Sequence, residues 1–192
     1  MNEFNKAVAD VVGELCKILL PIKDEYYLGA GKEIAICTLS SLNLLTQISE
    51  DQYLMEKIAM VGRLLSENKG IDAIIKYSAR NHYLKHIVVC GVDTRGHLAG
   101  HALLSLYRNG IDFQGRILNS KSPRPQITIS REEVENFRKR VHIYDLFGVT
   151  DLDTIKEHVD KTFPLEKIGE ALDFLQSGHA KGKVVITIKN VK

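Results

Sequence analysis

Short apolar, β-branched runs alternate along this chain with amphipathic stretches, and that alternation predicts an α/β fold: a Rossmann-like three-layer domain with a mainly parallel sheet. Two kinds of segment carry the reading. Residues 34–37 and 87–90 are continuous apolar runs, as a strand buried on both faces requires. Residues 71–80 and 97–108 instead repeat their apolar positions at helical spacing, and Asn109-Gly110 supplies a stop signal to the second.

Taken in order, residues 3–20 read as an amphipathic helix with Pro21 just beyond to end it. Gly29-Ala30-Gly31 is a turn before the first strand, 33–37. Residues 53–65 read as helical, weakened by Gly62. Helix 71–80, strand 87–90, helix 97–108 and a strand at 116–118 follow. A proline-containing loop ends at Ser130, which with Glu133 makes a capping box for a helix through Lys139. Strand 141–145 then leads into helix 151–161. Residues 163–192 stand apart, as a helix over 165–176 capped by Gly178 and a terminal strand over 183–189. The chain is thus expected to divide into a domain of residues 1–162 and an extension of residues 163–192.

Composition narrows the function. With 192 residues and 44% apolar content the chain can bury one good core. A net charge of +2 argues against nucleic acid or an acidic membrane surface as partner. No run approaches the ~18 apolar residues of a spanning helix. The N-terminus carries Glu3 and Asp10 and lacks a basic region before an apolar core, unlike a secretory signal. Cys16, Cys37 and Cys90 have no Cys-x-x-Cys spacing, and the last two sit in apolar strands as small buried hydrophobes. These features fit a reducing cytoplasm.

The most informative segment is 86–110, HIVVCGVDTRGHLAGHALLSLYRNG. A buried strand runs into the turn Gly91-Val92-Asp93-Thr94-Arg95-Gly96, and His97 opens the helix that follows. Open α/β sheets bind ligands at the carboxyl ends of their strands, so a histidine there can reach a ligand rather than a core. His97 and His101 are placed four residues apart on one helix, a spacing that also suits zinc if His82, His86 or Cys90 supplies a third ligand. His142, His158 and His179 are expected to face solvent or to cap helices.

Cys90-Gly91, Gly96-His97-Leu98-Ala99-Gly100, Ala102-Leu103-Leu104 and Asn109-Gly110 resemble the corrinoid-binding domain in the A subunit of tetrahydromethanopterin S-methyltransferase. The resemblance extends through EIAICTL at 33–39, Asn68-Lys69-Gly70-Ile71, Gly115-Arg116-Ile117-Leu118 and VHIYDLFGVTDLDTIKEHV at 141–159. It implies a base-off cobalamin whose cobalt takes His97 as lower axial ligand. It further implies a cofactor site of Thr38, Leu39, Ser40, Gly91, Asp93, Gly96, His97, Gly100, Pro123 and Pro125. Gly91, Gly96 and Gly100 would let a macrocycle approach the backbone. The implied role is a methyl carrier that is not self-sufficient. It would serve partner subunits that handle a methyl-tetrahydropterin and a thiol such as coenzyme M.

The chain departs from the family in places. Ser40-Ser41-Leu42 stands where a Gly-Ser-His run is usual, and His101 where a Gln is usual. The loop Asn119-Ser120-Lys121-Ser122-Pro123-Arg124-Pro125 replaces Gly-Ala-Pro-Gly-Ala-x-Pro, making that wall longer-armed and basic. Of the wider corrinoid motif Asp-x-His-x-x-Gly, His97-Leu98-Ala99-Gly100 remains, but Arg95 holds the Asp position and Asp93 lies two residues earlier. The membrane anchor of the family's full-length members is also expected to be missing. Phe163-Pro164-Leu165-Glu166-Lys167-Ile168 and residues 178–188 resemble the C-terminus of medium-chain zinc-type dehydrogenases, without a dinucleotide fingerprint or zinc site. That extension is expected to add to the sheet edge or to pair with another chain as a homodimer. Two other readings remain open: a cofactor-free binding or regulatory domain, and a small zinc protein using His97 and His101.

Overall fold

The computed structural model describes residues 26–162. The expectations for helix 3–20, Cys16, His179 and the extension 163–192 lie outside the described residues. In chain order the elements are β1 (Tyr26–Leu28), β2 (Ile34–Cys37), α1 (Leu42–Glu50), α2 (Gln52–Lys57), β3 (Met60–Gly62) and α3 (Lys69–Arg80). There follow β4 (His86–Gly91), α4 (Ala99–Asn109), α5 (Arg131–Arg140), β5 (His142–Phe147) and α6 (Leu152–Thr162).

The strands form one sheet in the order β1-β3-β2-β4-β5. β2 runs parallel to both β3 and β4, β4 parallel to β5, and only β1 is antiparallel to its neighbour. The expected α/β class and mainly parallel sheet are therefore what the chain builds. Alternate residues of the central strands feed two cores, as the pleat dictates. Ala35, Cys37, Ile87 and Val89 pack with Ile71 and Ile75 of α3, Leu103 and Leu106 of α4, and Val134 and Phe137 of α5. Ile34, Ile36, Val88 and Cys90 pack on the other face with Leu45 and Ile48 of α1, Leu54 of α2, and Ile155 and Val159 of α6.

Several local expectations change. The helix read over 53–65 ends at Lys57, and Met60-Val61-Gly62 is strand β3. Val61 is fully buried opposite Ile36 and Tyr27, so pairing on both sides overrides local propensity. Neither β1 nor α1 was signalled by the sequence. Residues 116–118 are not a sheet strand. β4 already pairs with β2 on one side and with β5 over six residue pairs on the other, which leaves no place between them. That segment instead makes isolated bridges, Ile111 with Ile117 and Arg116 with Gln126, in an excursion between α4 and α5. The Ser130–Glu133 capping box forms as expected and opens α5.

The chain leaves β2 toward β3, then crosses back through α3 to place β4 on the opposite side. The carboxyl ends of β2 and β4 thus flank the switch point where open α/β sheets hold ligands. The turns after β2, β3 and β4 meet there.

Candidate functional site

His97 lies in the turn before α4, not in its first helical turn as expected. Leu98, with φ 50 and ψ 46, is left-handed and separates His97 from the helix that begins at Ala99. The His97 side chain is 56% exposed. Its Nδ1 is 2.9 Å from Oε2 of Glu67, whose side chain is only 3% exposed. An ionised carboxylate only accepts, so in the neutral imidazole the proton sits on Nδ1 and Nε2 keeps its lone pair. The other oxygen, Glu67 Oε1, accepts the backbone N–H of Arg124 at 3.2 Å. Glu67 lies in the turn after β3 and was missed by sequence reasoning.

Asp93 does not serve His97. Its carboxylate accepts the N–H groups of Gly100 at 2.8 Å and His101 at 3.1 Å, two of the orphan donors at the start of α4. Leu98 has no side chain able to cap, so Asp93 supplies the cap from outside the helix. Thr94 holds the turn closed, its carbonyl accepting the N–H groups of His97 and Leu98 and its hydroxyl donating to Leu64 O.

The β2 turn forms the floor beside it. Thr38 is fully buried with its N–H on Gly62 O at 2.9 Å, and Leu39 is fully buried with φ 52. Ser40 donates its hydroxyl to Val92 O at 2.6 Å, stitching the β2 turn to the β4 turn. Gly91, with φ 79, is within reach of this stitch: a Cβ there would sit 2.5 Å from Thr38 O. At Gly100 a Cβ would sit 2.8 Å from Leu39 and 3.0 Å from Phe147, so that glycine lets protein side chains approach α4. Gly96 differs, for nothing lies within 4 Å of the Cβ position, and its backbone faces open space.

The proline loop reaches this site by the 111–117 excursion rather than from a strand end. Ser122 donates its hydroxyl to Leu98 O at 2.8 Å, and the Lys121 N–H meets His101 Nδ1 at 3.4 Å. Pro123 is exposed and Pro125 buried. His97 and His101 therefore do not share a helix face; His101 turns toward Ser105 and Lys121. No group of three or more metal-ligating side chains occurs among the described residues. Cys37 and Cys90 are buried, and burial pushes the Cys37 thiol up to about 12 and raises Cys90 as well, so neither is a thiolate. His158, expected to face solvent or to cap a helix, is half-buried with its ring edge-on to Tyr144 at 4.6 Å.

An exposed imidazole with Nδ1 fixed and Nε2 free, beside a bare glycine backbone, suits a metal that needs one protein ligand and brings its own macrocycle. It does not suit a metal caged by several side chains. The residues present fit a corrinoid ligated by a single histidine.

Over residues 19–174 the chain matches the family of the tetrahydromethanopterin S-methyltransferase A subunit, MtrA. It is 38% identical over 140 residues to the A subunit of the Mtx methyltransferase of Methanosarcina barkeri, whose name gives its methyltransferase role as provisional. That match covers 72% of this chain and 66% of the relative. It is 31% identical over 143 residues to the second of the tetrahydromethanopterin S-methyltransferase A subunits of Methanothermobacter thermautotrophicus, covering 73% of this chain and 75% of that protein. The chain spans about two thirds of the length of the Mtx relatives it matches. Among the described residues no helix is long and apolar enough to cross a membrane. With the family match spanning every element that builds the His97 site, this chain belongs to the MtrA family, that of the tetrahydromethanopterin S-methyltransferase A subunit.

Proposed function

We propose that this protein is a cobalamin-binding methyl carrier in which His97 Nε2 is the lower axial ligand to cobalt, displacing the cofactor's own base. One observation carries the reading: a surface imidazole held by a buried carboxylate, with Nδ1 of His97 on Glu67. Such a carboxylate partner fixes the ring and raises the basicity of the free nitrogen. When bound, cobalamin supplies the methyl-carrying chemistry, and the protein supplies ligation and orientation.

The other residues divide by task. His97 ligates, Glu67 keeps the proton on Nδ1, and Asp93 and Thr94 hold the turn that presents the ring. Thr38, Leu39, Ser40, Gly91 and Gly100 shape the floor, while Gly96 and Pro123 form the rim a macrocycle meets and the buried Pro125 supports that loop from within. The chain acts with methyltransferase partner subunits that bring a methyl-tetrahydropterin and a thiol, and we place it in the cytoplasm. Residues 1–162 make the corrinoid domain, and the extension 163–192 serves association, including a homodimer.

The test is the absorption spectrum after mixing with hydroxocobalamin and removing the excess. The wild type is expected to hold the corrinoid with a base-off, His-ligated spectrum, and His97→Ala to keep its circular dichroism but lose that spectrum. A protein that stays colourless overturns the reading and leaves a cofactor-free domain. Zinc retained by the wild type and lost in both His97→Ala and His101→Ala would favour the zinc alternative.

A further inference from the structure

Three exposed cations lie on the turn that carries His97 and on the loop tied to its partner Glu67. Arg95 is exposed two residues before it in the same turn. Lys121 and Arg124 are exposed on the loop whose backbone is pinned to His101 and Glu67. None of the three side chains makes an ion pair or hydrogen bond among the described residues, while other cations here do, such as Arg108 on Asp145 and Arg138 on Glu135. The two acidic groups of the site are themselves engaged: Glu67 by His97 and Arg124 N–H, Asp93 by the start of α4. The loop is also prepared in advance. Pro125 is buried, Ser122 is anchored to Leu98, and Thr128 just beyond is tied to the buried Asp72 carboxylate at 2.6 Å. Unpaired cations on a stiff scaffold beside one functional residue make an anion site with little ordering cost.

We propose that Arg95, Lys121 and Arg124 bind the phosphodiester of the corrinoid's nucleotide loop. The inference rests on His97 being the axial ligand. With an imidazole in place of the cofactor's own base, the nucleotide arm would be released from cobalt, and its single negative charge would need a partner beside the histidine. The charge that arrives and the charges that wait there are complementary. The two guanidinium groups can meet phosphate oxygens through paired N–H donors, and Lys121 adds a point charge.

The experiment compares cobalamin with cobinamide, a corrinoid lacking the nucleotide and its phosphodiester. The full chain and the Arg95→Ala/Lys121→Ala/Arg124→Ala variant are titrated with both, following the spectrum at low and moderate salt, with circular dichroism to confirm the fold. The wild type should bind cobalamin more tightly than cobinamide, and the variant should lose on the order of tenfold for cobalamin and little for cobinamide. The wild-type preference should shrink as salt rises. Equal losses for both corrinoids, or no loss for either, overturns the inference while leaving His97 ligation standing. Binding of neither corrinoid by the wild type overturns the parent reading and this one with it. Inorganic phosphate provides a further arm. If it restores cobinamide binding to the cobalamin level, the cations serve a free oxyanion, and the assignment to the nucleotide arm is overturned.

Discussion

Asp93 Oδ1 accepts the Gly100 N–H at 2.8 Å, a helix cap delivered from seven residues away across the turn that carries His97. The same carboxylate thereby sets the start of α4 and the shape of the ligand turn. Asp93→Ala should destabilise the fold by about 1–2 kcal/mol, the usual cost of a lost cap. Asp93→Asn, which keeps one acceptor oxygen, should cost less. Urea unfolding of the two variants checks the order; an Asp93→Ala midpoint equal to wild type would remove the cap from the argument.

Glu67 offers the sharpest separation of fold from function. In Glu67→Gln the side chain keeps its shape, but the amide is a weaker acceptor for His97 Nδ1 and supplies no charge. Corrinoid affinity should fall by about 10–100-fold, the range seen when a metal-ligand's outer partner is removed. An affinity unchanged within twofold would show that His97 needs no carboxylate.

Stability should decline on mild acidification. Burial holds the His86 and His158 imidazoles below their ordinary value, with neighbouring His142 adding to the effect at His86. Both are therefore favoured neutral in the fold, while the unfolded chain protonates near about 6.5. Their contribution is complete above that pH and is lost as pH falls through it toward the lowered native values. Melting temperature should be flat from pH 8 to 7 and drop between about 6.5 and 5. His158→Phe, which keeps an aromatic ring against Tyr144, should blunt the drop.

Two glycines should respond to alanine for opposite reasons. Gly100→Ala drives a methyl against Leu39 and Phe147, an overpacking worth about 1–3 kcal/mol. Pairing it with Leu39→Met, unbranched and able to yield at φ 52, should recover part of the loss, since neighbours couple. Gly96→Ala meets empty space but must keep φ near 81, a backbone cost of about 1–2 kcal/mol that no neighbour can relieve. Unfolding of the two single and one double variant distinguishes strain in packing from strain in backbone.

The parts of the fold that show in the sequence are those whose signals are local. The apolar run before Gly91, the periodicity of α3 and the Ser130–Glu133 box each contain their own instructions. β3 does not. Met60-Val61-Gly62 becomes a strand because β1 and β2 pair with it on either side. Misreading that strand as the end of a helix hid the turn after it, and with it Glu67. His97 was visible because a strand end pointed to it, while its partner comes from thirty residues upstream. Arg95 in the expected Asp position was a true departure, and the missing carboxylate enters from a different loop.

The two oxygens of Glu67 belong to different neighbours, one to an imidazole and one to the backbone of Arg124. That couples the loops around residues 67, 97 and 124 into a single structural unit. Inserting one residue between Ser122 and Arg124 would withdraw an N–H from a carboxylate buried too deeply to recruit water, and the imbalance would be felt at the ligand. Loop exchange between members of the family should therefore succeed when the loops containing residues 67, 97 and 124 travel together, and fail when any one travels alone.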